Sequence, residues 1–123
     1  LERDYYQRTK IYPIMHTVVI RRDVYEKNRW LAASVYKAFL QAKRLADAEL
    51  AEVTALKIGL PWVVSAAQEA RALIGDDFWP YGVEANRKTL EPMLRYAHEH
   101  GTALRKVEIS ELFARTVLEQ PKT

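Results

Sequence analysis

The chain contains no cysteine, which excludes a disulfide framework and a thiolate metal site. That absence does not choose a compartment, because disulfide-free proteins occur on both sides of a bacterial inner membrane. Only four glycines are present, and they fall at expected helix ends and turns. There is no Gly-rich phosphate loop, no nucleophile elbow, no RNA-binding aromatic signature and no zinc-ligand spacing. Long apolar runs are missing too. The longest charge-free stretch, Ile58 to Gln68, is broken by Gly59 and Pro61 and falls short of the roughly 20 apolar residues of a membrane span, so insertion as a membrane helix is not expected. Nineteen Lys and Arg against sixteen Asp and Glu leave a net charge of +3. That surplus is too mild to expect a nucleic-acid partner. The chain begins Leu1-Glu2-Arg3-Asp4, without an initiator Met or a basic-then-apolar leader, and on that ground is expected to be a mature product or an excerpt from a longer protein.

What is present is globular. With 123 residues, 49% hydrophobic and 28% charged, the chain is expected to form one domain able to bury a core. A short helix is predicted over Leu1 to Thr9, followed by an extended Ile11-Tyr12-Pro13, since the residue before proline avoids the helical region. Residues 15–21 read as a strand buried on both faces, because Thr17, Val18, Val19 and Ile20 are β-branched in succession. Asp23 and Glu26 have the spacing of a capping box and predict a helical turn after it.

A long helix is predicted over about 30–57. Its apolar stripe is Leu31, Val35, Ala38, Phe39, Ala42, Leu45 and Ala46, with Lys37, Gln41, Lys43, Arg44 and Asp47 on the polar positions. Gly59 and Pro61 supply the stop and the next start. Val63, Ala67, Ala70 and Ile74 predict a helix over 63–74, with Ser65 and Gln68 as an alternative cap and Gly75 closing it. The last long helix is predicted over 83–100 from Val83, Leu90, Met93, Leu94 and Ala97, with a kink or break at Pro92. Lys106 to Ile109 are expected to be extended and Ser110 to Ala114 to make one turn, and the tail past Glu119 is expected to fray. The fold class that emerges is mainly α with one or two short strands. A single strand makes no sheet, so its partners are expected from sequence outside this chain or from a second copy.

His16 is the leading candidate for chemistry, because it sits where the extended segment enters the predicted strand and its pKa class suits proton transfer near neutrality. The alternative is a histidine satisfied by a backbone carbonyl. Tyr12 and Pro13 beside it read as packing or binding residues. His98 and His100, two apart, point to different helix faces and lack the spacing of a helical zinc site. The helix C-terminus accounts for their position. Asp76 and Asp77 are either a carboxylate pair or solvated turn residues. Phe78, Trp79 and Tyr81 in the same loop either line a pocket for a planar ligand or plug a core. Arg8, Lys10, Arg21, Arg22 and Arg29 make the first third basic, which attracts an anion or simply forms a solvated face. No cofactor and no metal site is evident.

The segments Pro13–Glu26 (PIMHTVVIRRDVYE) and Gly75–Gly101 (GDDFWPYGVEANRKTLEPMLRYAHEHG), with Leu60-Pro61-Trp62 and Glu111-Leu112-Phe113, resemble the 4,5-dihydroxyphthalate decarboxylase family. The resemblance runs over nearly the whole chain and corresponds to the C-terminal part of such proteins. It implies part of a two-lobed α/β fold like that of type II periplasmic solute-binding proteins. It also implies a lyase of aromatic degradation that removes one carboxylate from a dihydroxylated aromatic dicarboxylate, with no activity expected of this part alone. In that chemistry His16 would be the general acid, and Tyr12, Trp79 and Tyr81 would contact the ring. The same fold family also implies a competing reading, a non-catalytic solute-binding protein of an ABC-type transporter that holds a small organic anion. A cytoplasmic location would go with the first and a periplasmic one with the second. A third reading is a helical interaction module. Self-association is expected to cover apolar surface around Val18 and the helix from Leu31.

Overall fold

Thr9 shows how local chemistry divides this chain. In the computed structural model, which describes residues 1–118, helix α1 (Glu2–Thr9) ends with the Thr9 hydroxyl donating to the Tyr5 carbonyl at 2.8 Å. Lys10 then turns into the left-handed region, its N–H donating to Tyr6 at 2.7 Å. Six further helices follow among the described residues: α2 (Arg22–Lys27), α3 (Leu31–Ala51), α4 (Val63–Ile74), α5 (Val83–Glu99), α6 (Ile109–Leu112) and α7 (Arg115–Leu118). None is long and apolar enough to cross a membrane. The fraying expected past Glu119 lies outside the described residues.

The fold class read from the sequence is corrected on one point. Among the described residues there is no strand and no sheet, so neither the strand expected at 15–21 nor the α/β class it pointed to is present. The physical reason is the lack of a ladder: β-branched residues favour a pleated, half-buried surface only when a neighbouring strand supplies one. Val18 and Val19 are exposed, Val19 at 86%.

Contacts divide the chain into two compact units. One comprises Leu1–Ser34 with the chain from Tyr81 onward; the other is Val35–Pro80.

In the first unit, α5 provides the apolar centre. Val83, Leu90 and Ile109 are buried together, with Ile14, Leu94, Phe113 and Leu118 packed against them. Helix α5 runs through Pro92 without the expected break. Leu90 and Leu94 flank that proline and are both anchored in the cluster, and their burial offsets the roughly 3 kcal/mol that an interior proline costs. The capping box expected at Asp23 and Glu26 does not form. Arg21 takes Asp23 instead, through two bonds of 2.9 and 2.5 Å. A capping box does form at α6, between Glu108 and Glu111, and it fixes the start of that helix.

In the second unit, α3 stops at Ala51 rather than continuing to 57. Glu52 accepts hydrogen bonds from the Thr54 N–H and hydroxyl at 2.9 and 2.6 Å, a local alternative that competes with the helical ladder. Helix α4 buries Ala67, with Val63, Ala70 and Ile74 half-buried on the same stripe. Ser65 does not cap it; its hydroxyl donates to the Trp62 carbonyl at 2.9 Å.

Candidate functional site

The turn that closes α4 carries the densest set of polar and aromatic ties in the second unit. Gly75 has φ of 121°, where a side chain would be strained, and its N–H donates to the Arg71 carbonyl at 2.9 Å. Two residues later, Asp77 accepts a hydrogen bond from Lys43 Nζ at 2.8 Å. Asp47, one turn along α3 from Lys43, accepts from the same ammonium at 3.0 Å. The next loop residue, Phe78, lies under the Arg71 guanidinium, 5.5 Å from ring centroid to charge, within cation–π range. Trp79 follows, partly exposed, and precedes Pro80.

Lys43 sits largely out of solvent, its side chain 12% exposed. Burial pulls its pKa down, but the hydrogen bonds and charges of Asp77 and Asp47 outweigh that, and the pKa lies above the ordinary lysine value. The amine therefore stays protonated at neutral pH, which rules out the role of an uncharged nucleophile or Schiff-base former. Its chemistry here is that of a fixed positive charge between two carboxylates.

In the sequence, Lys43 and Asp47 fell on the polar side of α3. In the structure both are half-buried while Phe39 and Leu45 are exposed. The Lys43–Asp47 spacing was visible as an i, i+4 pair; Asp77, 34 residues away, gave no sequence signal of belonging to it. Asp76 and Asp77 do not act as a pair. Asp77 faces Lys43, whereas Asp76 is exposed and makes no hydrogen bond.

The remaining candidates divide between the units. Trp79 belongs to the second; Tyr12, His16 and Tyr81 belong to the first. His16 is exposed and makes no hydrogen bond or ion pair, so neither a carbonyl nor a carboxylate orients its ring. Tyr12 is exposed and Tyr81 half-buried. Much of the basic first third is engaged locally. Arg21 pairs with Asp23, the Lys10 ammonium lies 5.2 Å from the Tyr6 ring centre and the Arg29 guanidinium 4.9 Å from that of Tyr25, while Arg22 makes no such contact. At the end of α5, His98 Nδ1 lies 3.4 Å from the Ala103 carbonyl, and His100 stands edge-on to Tyr96 at 6.2 Å between ring centres. Among the described residues no group of three His, Cys, Asp or Glu side chains is placed to hold a metal ion.

Comparison with known proteins gives one informative match. The chain is 35% identical over 119 residues to the 4,5-dihydroxyphthalate decarboxylase of Comamonas testosteroni. The alignment takes in 97% of this chain but 36% of that protein's length, a distant and partial relationship. No protein-family profile matches the chain.

Proposed function

We propose that this chain forms part of a carboxy-lyase that removes one carboxylate from a dihydroxylated aromatic dicarboxylate such as 4,5-dihydroxyphthalate. The observation that carries the reading is the 35% identity extending over 97% of the chain. In the proposed reaction a ring carbon bearing a carboxylate accepts a proton, with a hydroxyl para to it stabilising the charge. The carbon–carboxylate bond then breaks, its electron pair restores the aromatic ring, and CO2 leaves. The chemistry calls for a proton donor of suitable pKa class and for groups that hold the second carboxylate and the ring.

His16 is the proposed donor. Its ring is exposed and unpartnered, and an imidazole is the side chain best matched to proton delivery near neutrality. Trp79 offers an aromatic face for a ring in the second unit, and Tyr12 and Tyr81 offer them in the first. No cofactor is invoked for this step.

The test is to incubate the full-length gene product with 4,5-dihydroxyphthalate and follow CO2 release, beside a His16→Ala variant and a binding titration. Turnover that falls by about 10²-fold or more in the variant, with binding retained, supports the acid role. Tight binding with no CO2 overturns the reading in favour of a non-catalytic protein that holds an organic anion.

A further inference from the structure

We infer that the ten residues from Val53 to Trp62, between α3 and α4, are a docking surface, and that its occupant is the part of the longer gene product lying outside these 123 residues. The inference rests on the chain being a portion of a longer protein, as the length of its relative suggests, and does not depend on the reaction proposed above.

A connecting loop is ordinarily polar, because it runs over the surface in contact with water. This one carries a single charge, Lys57, and five large apolar side chains in ten residues. Val53, Leu56, Ile58 and Leu60 are each more than half exposed, and Trp62 is 83% exposed. At that value the indole itself is open, since the ring system makes up most of a tryptophan's surface. The loop is nevertheless held at both ends. Glu52 accepts from the Thr54 N–H and hydroxyl, and the Trp62 carbonyl accepts from the Ala66 N–H and the Ser65 hydroxyl, both at 2.9 Å. Trp62 stands at φ 59°, in the left-handed region that bulky side chains rarely adopt. The backbone that carries the indole is thus fixed by the first turn of α4, while the ring stands in solvent.

The size of this surface selects the occupant. Four half-exposed aliphatic side chains and one open indole present on the order of 400 Å² of apolar area. That is the scale of the largest apolar patch on a typical monomer, yet it is about half of the ~800 Å² that each partner contributes to a standard interface between separate proteins. A second copy or a free partner gains too little from it to offset the entropy of association. A segment of the same chain needs less, because its tether replaces that cost with a high effective concentration. The relative has chain enough to supply such a segment: it aligns over 97% of this chain but over 36% of its own length, so about two-thirds of a protein of that size lies outside the match.

The test is hydroxyl-radical footprinting of the full-length gene product, read by mass spectrometry on the tryptic peptide Ile58–Arg71, which contains Trp62 and no other tryptophan. Trp62 should oxidise at least about fivefold more slowly in the native protein than in the same peptide free in solution, at about 1 and about 100 μM protein alike. A rate within about twofold of that of the free peptide overturns the docking surface, and protection that is lost on dilution assigns it to a second copy and overturns the occupant. Trp62→p-benzoylphenylalanine then identifies the neighbour by photo-cross-linking. Cross-links within one molecule to residues outside these 123 support the inference; cross-links confined to the 123, or joining two molecules, overturn it. Footprinting needs no substitution, so it decides even if the cross-linking variant does not fold. Neither readout measures turnover: absent CO2 release defeats the proposed reaction alone, and a freely oxidised Trp62 defeats this surface alone.

Discussion

The two units are held together by different physics. In the first, Val83, Leu90 and Ile109 form an apolar centre that collects side chains from the segment before α2, from α5, from α6 and from α7. In the second, one alanine, Ala67, is buried, and the ties of α3 and α4 to the following loop include an ammonium shared by two carboxylates and a guanidinium over a ring. Apolar packing is non-directional and adds up with area. Charge ties are directional, and single substitutions remove them one at a time. The comparison therefore predicts a first unit that responds to cavity formation and a second that responds to loss of charge. The largest expected effect is in the first: Leu90→Ala, at a side chain 3% exposed, should lower stability by about 2–5 kcal/mol in urea denaturation. A loss below about 1 kcal/mol would mean that the cluster is not what holds that unit.

Next in size is Lys43→Met in the second unit. Its expected cost is roughly 1–2 kcal/mol, between the figures for exposed and buried ion pairs, because the ammonium is covered while Asp77 is more than half exposed. Hydrogen exchange should show faster opening in α4 and the loop after it, with α5 unchanged. Uniform acceleration in α5 as well would contradict the separation of the two kinds of support.

The helices were legible where the apolar spacing had no competitor. In α4 the stripe of Val63, Ala67, Ala70 and Ile74, ended by Gly75, contains the whole argument for that element. In α3 the same reasoning holds at Leu31 and Val35, which are half-buried, and fails farther along, where Phe39 and Leu45 are exposed and Lys43 is covered, because no periodicity reveals that two carboxylates make a covered ammonium tolerable. The end of α3 was missed for a similar reason: Ala55, Leu56 and Lys57 are adequate helix formers, but Glu52 and Thr54 close a turn upstream of them. Capping chemistry was read at the wrong acid pair. Asp23 has Arg21 two residues away to take it, whereas Glu108 and Glu111 make the box even though Glu is not among the favoured N-cap residues. Of the candidate site, the aromatic loop was visible as composition, and its anchors Lys43 and Arg71 were not, because one tie spans 34 residues and the other is a ring contact without a motif.

A smaller effect, again in the first unit, concerns Glu111. Its carboxylate accepts two hydrogen bonds from Arg105, at 2.6 and 3.1 Å, and one from the Glu108 N–H at 2.8 Å. These contacts lower its pKa from 4.5 to about 2, Arg105 contributing first and the Glu108 amide next. A depressed carboxyl pKa stabilises the folded state above the unfolded value and stops doing so as pH falls through the folded one. The support that Glu111 gives α6 should be complete above about pH 4.5 and vanish toward pH 2. Carbon-detected titration of the Glu111 carboxyl should find its midpoint near 2, and Arg105→Ala should move it upward. A midpoint near the ordinary glutamate value would mean that neither contact holds the carboxylate in solution.

The smallest expected effect tests the segment between α1 and α2, where the sequence argued for a strand. Val19 is β-branched, yet it is 86% exposed and makes no hydrogen bond. Replacing it with lysine removes apolar surface that already faces solvent and breaks no ladder, so Val19→Lys in the 123-residue chain should change stability by no more than about 0.5 kcal/mol. Ile14, five residues earlier in the same segment, packs on the Val83–Leu90–Ile109 cluster, and Ile14→Ala should therefore cost measurably more. A Val19→Lys penalty as large as that of Ile14→Ala would show that the segment is covered at both positions. The distinction between a packed end and a solvent-facing run would then have to be abandoned for this stretch of the first unit.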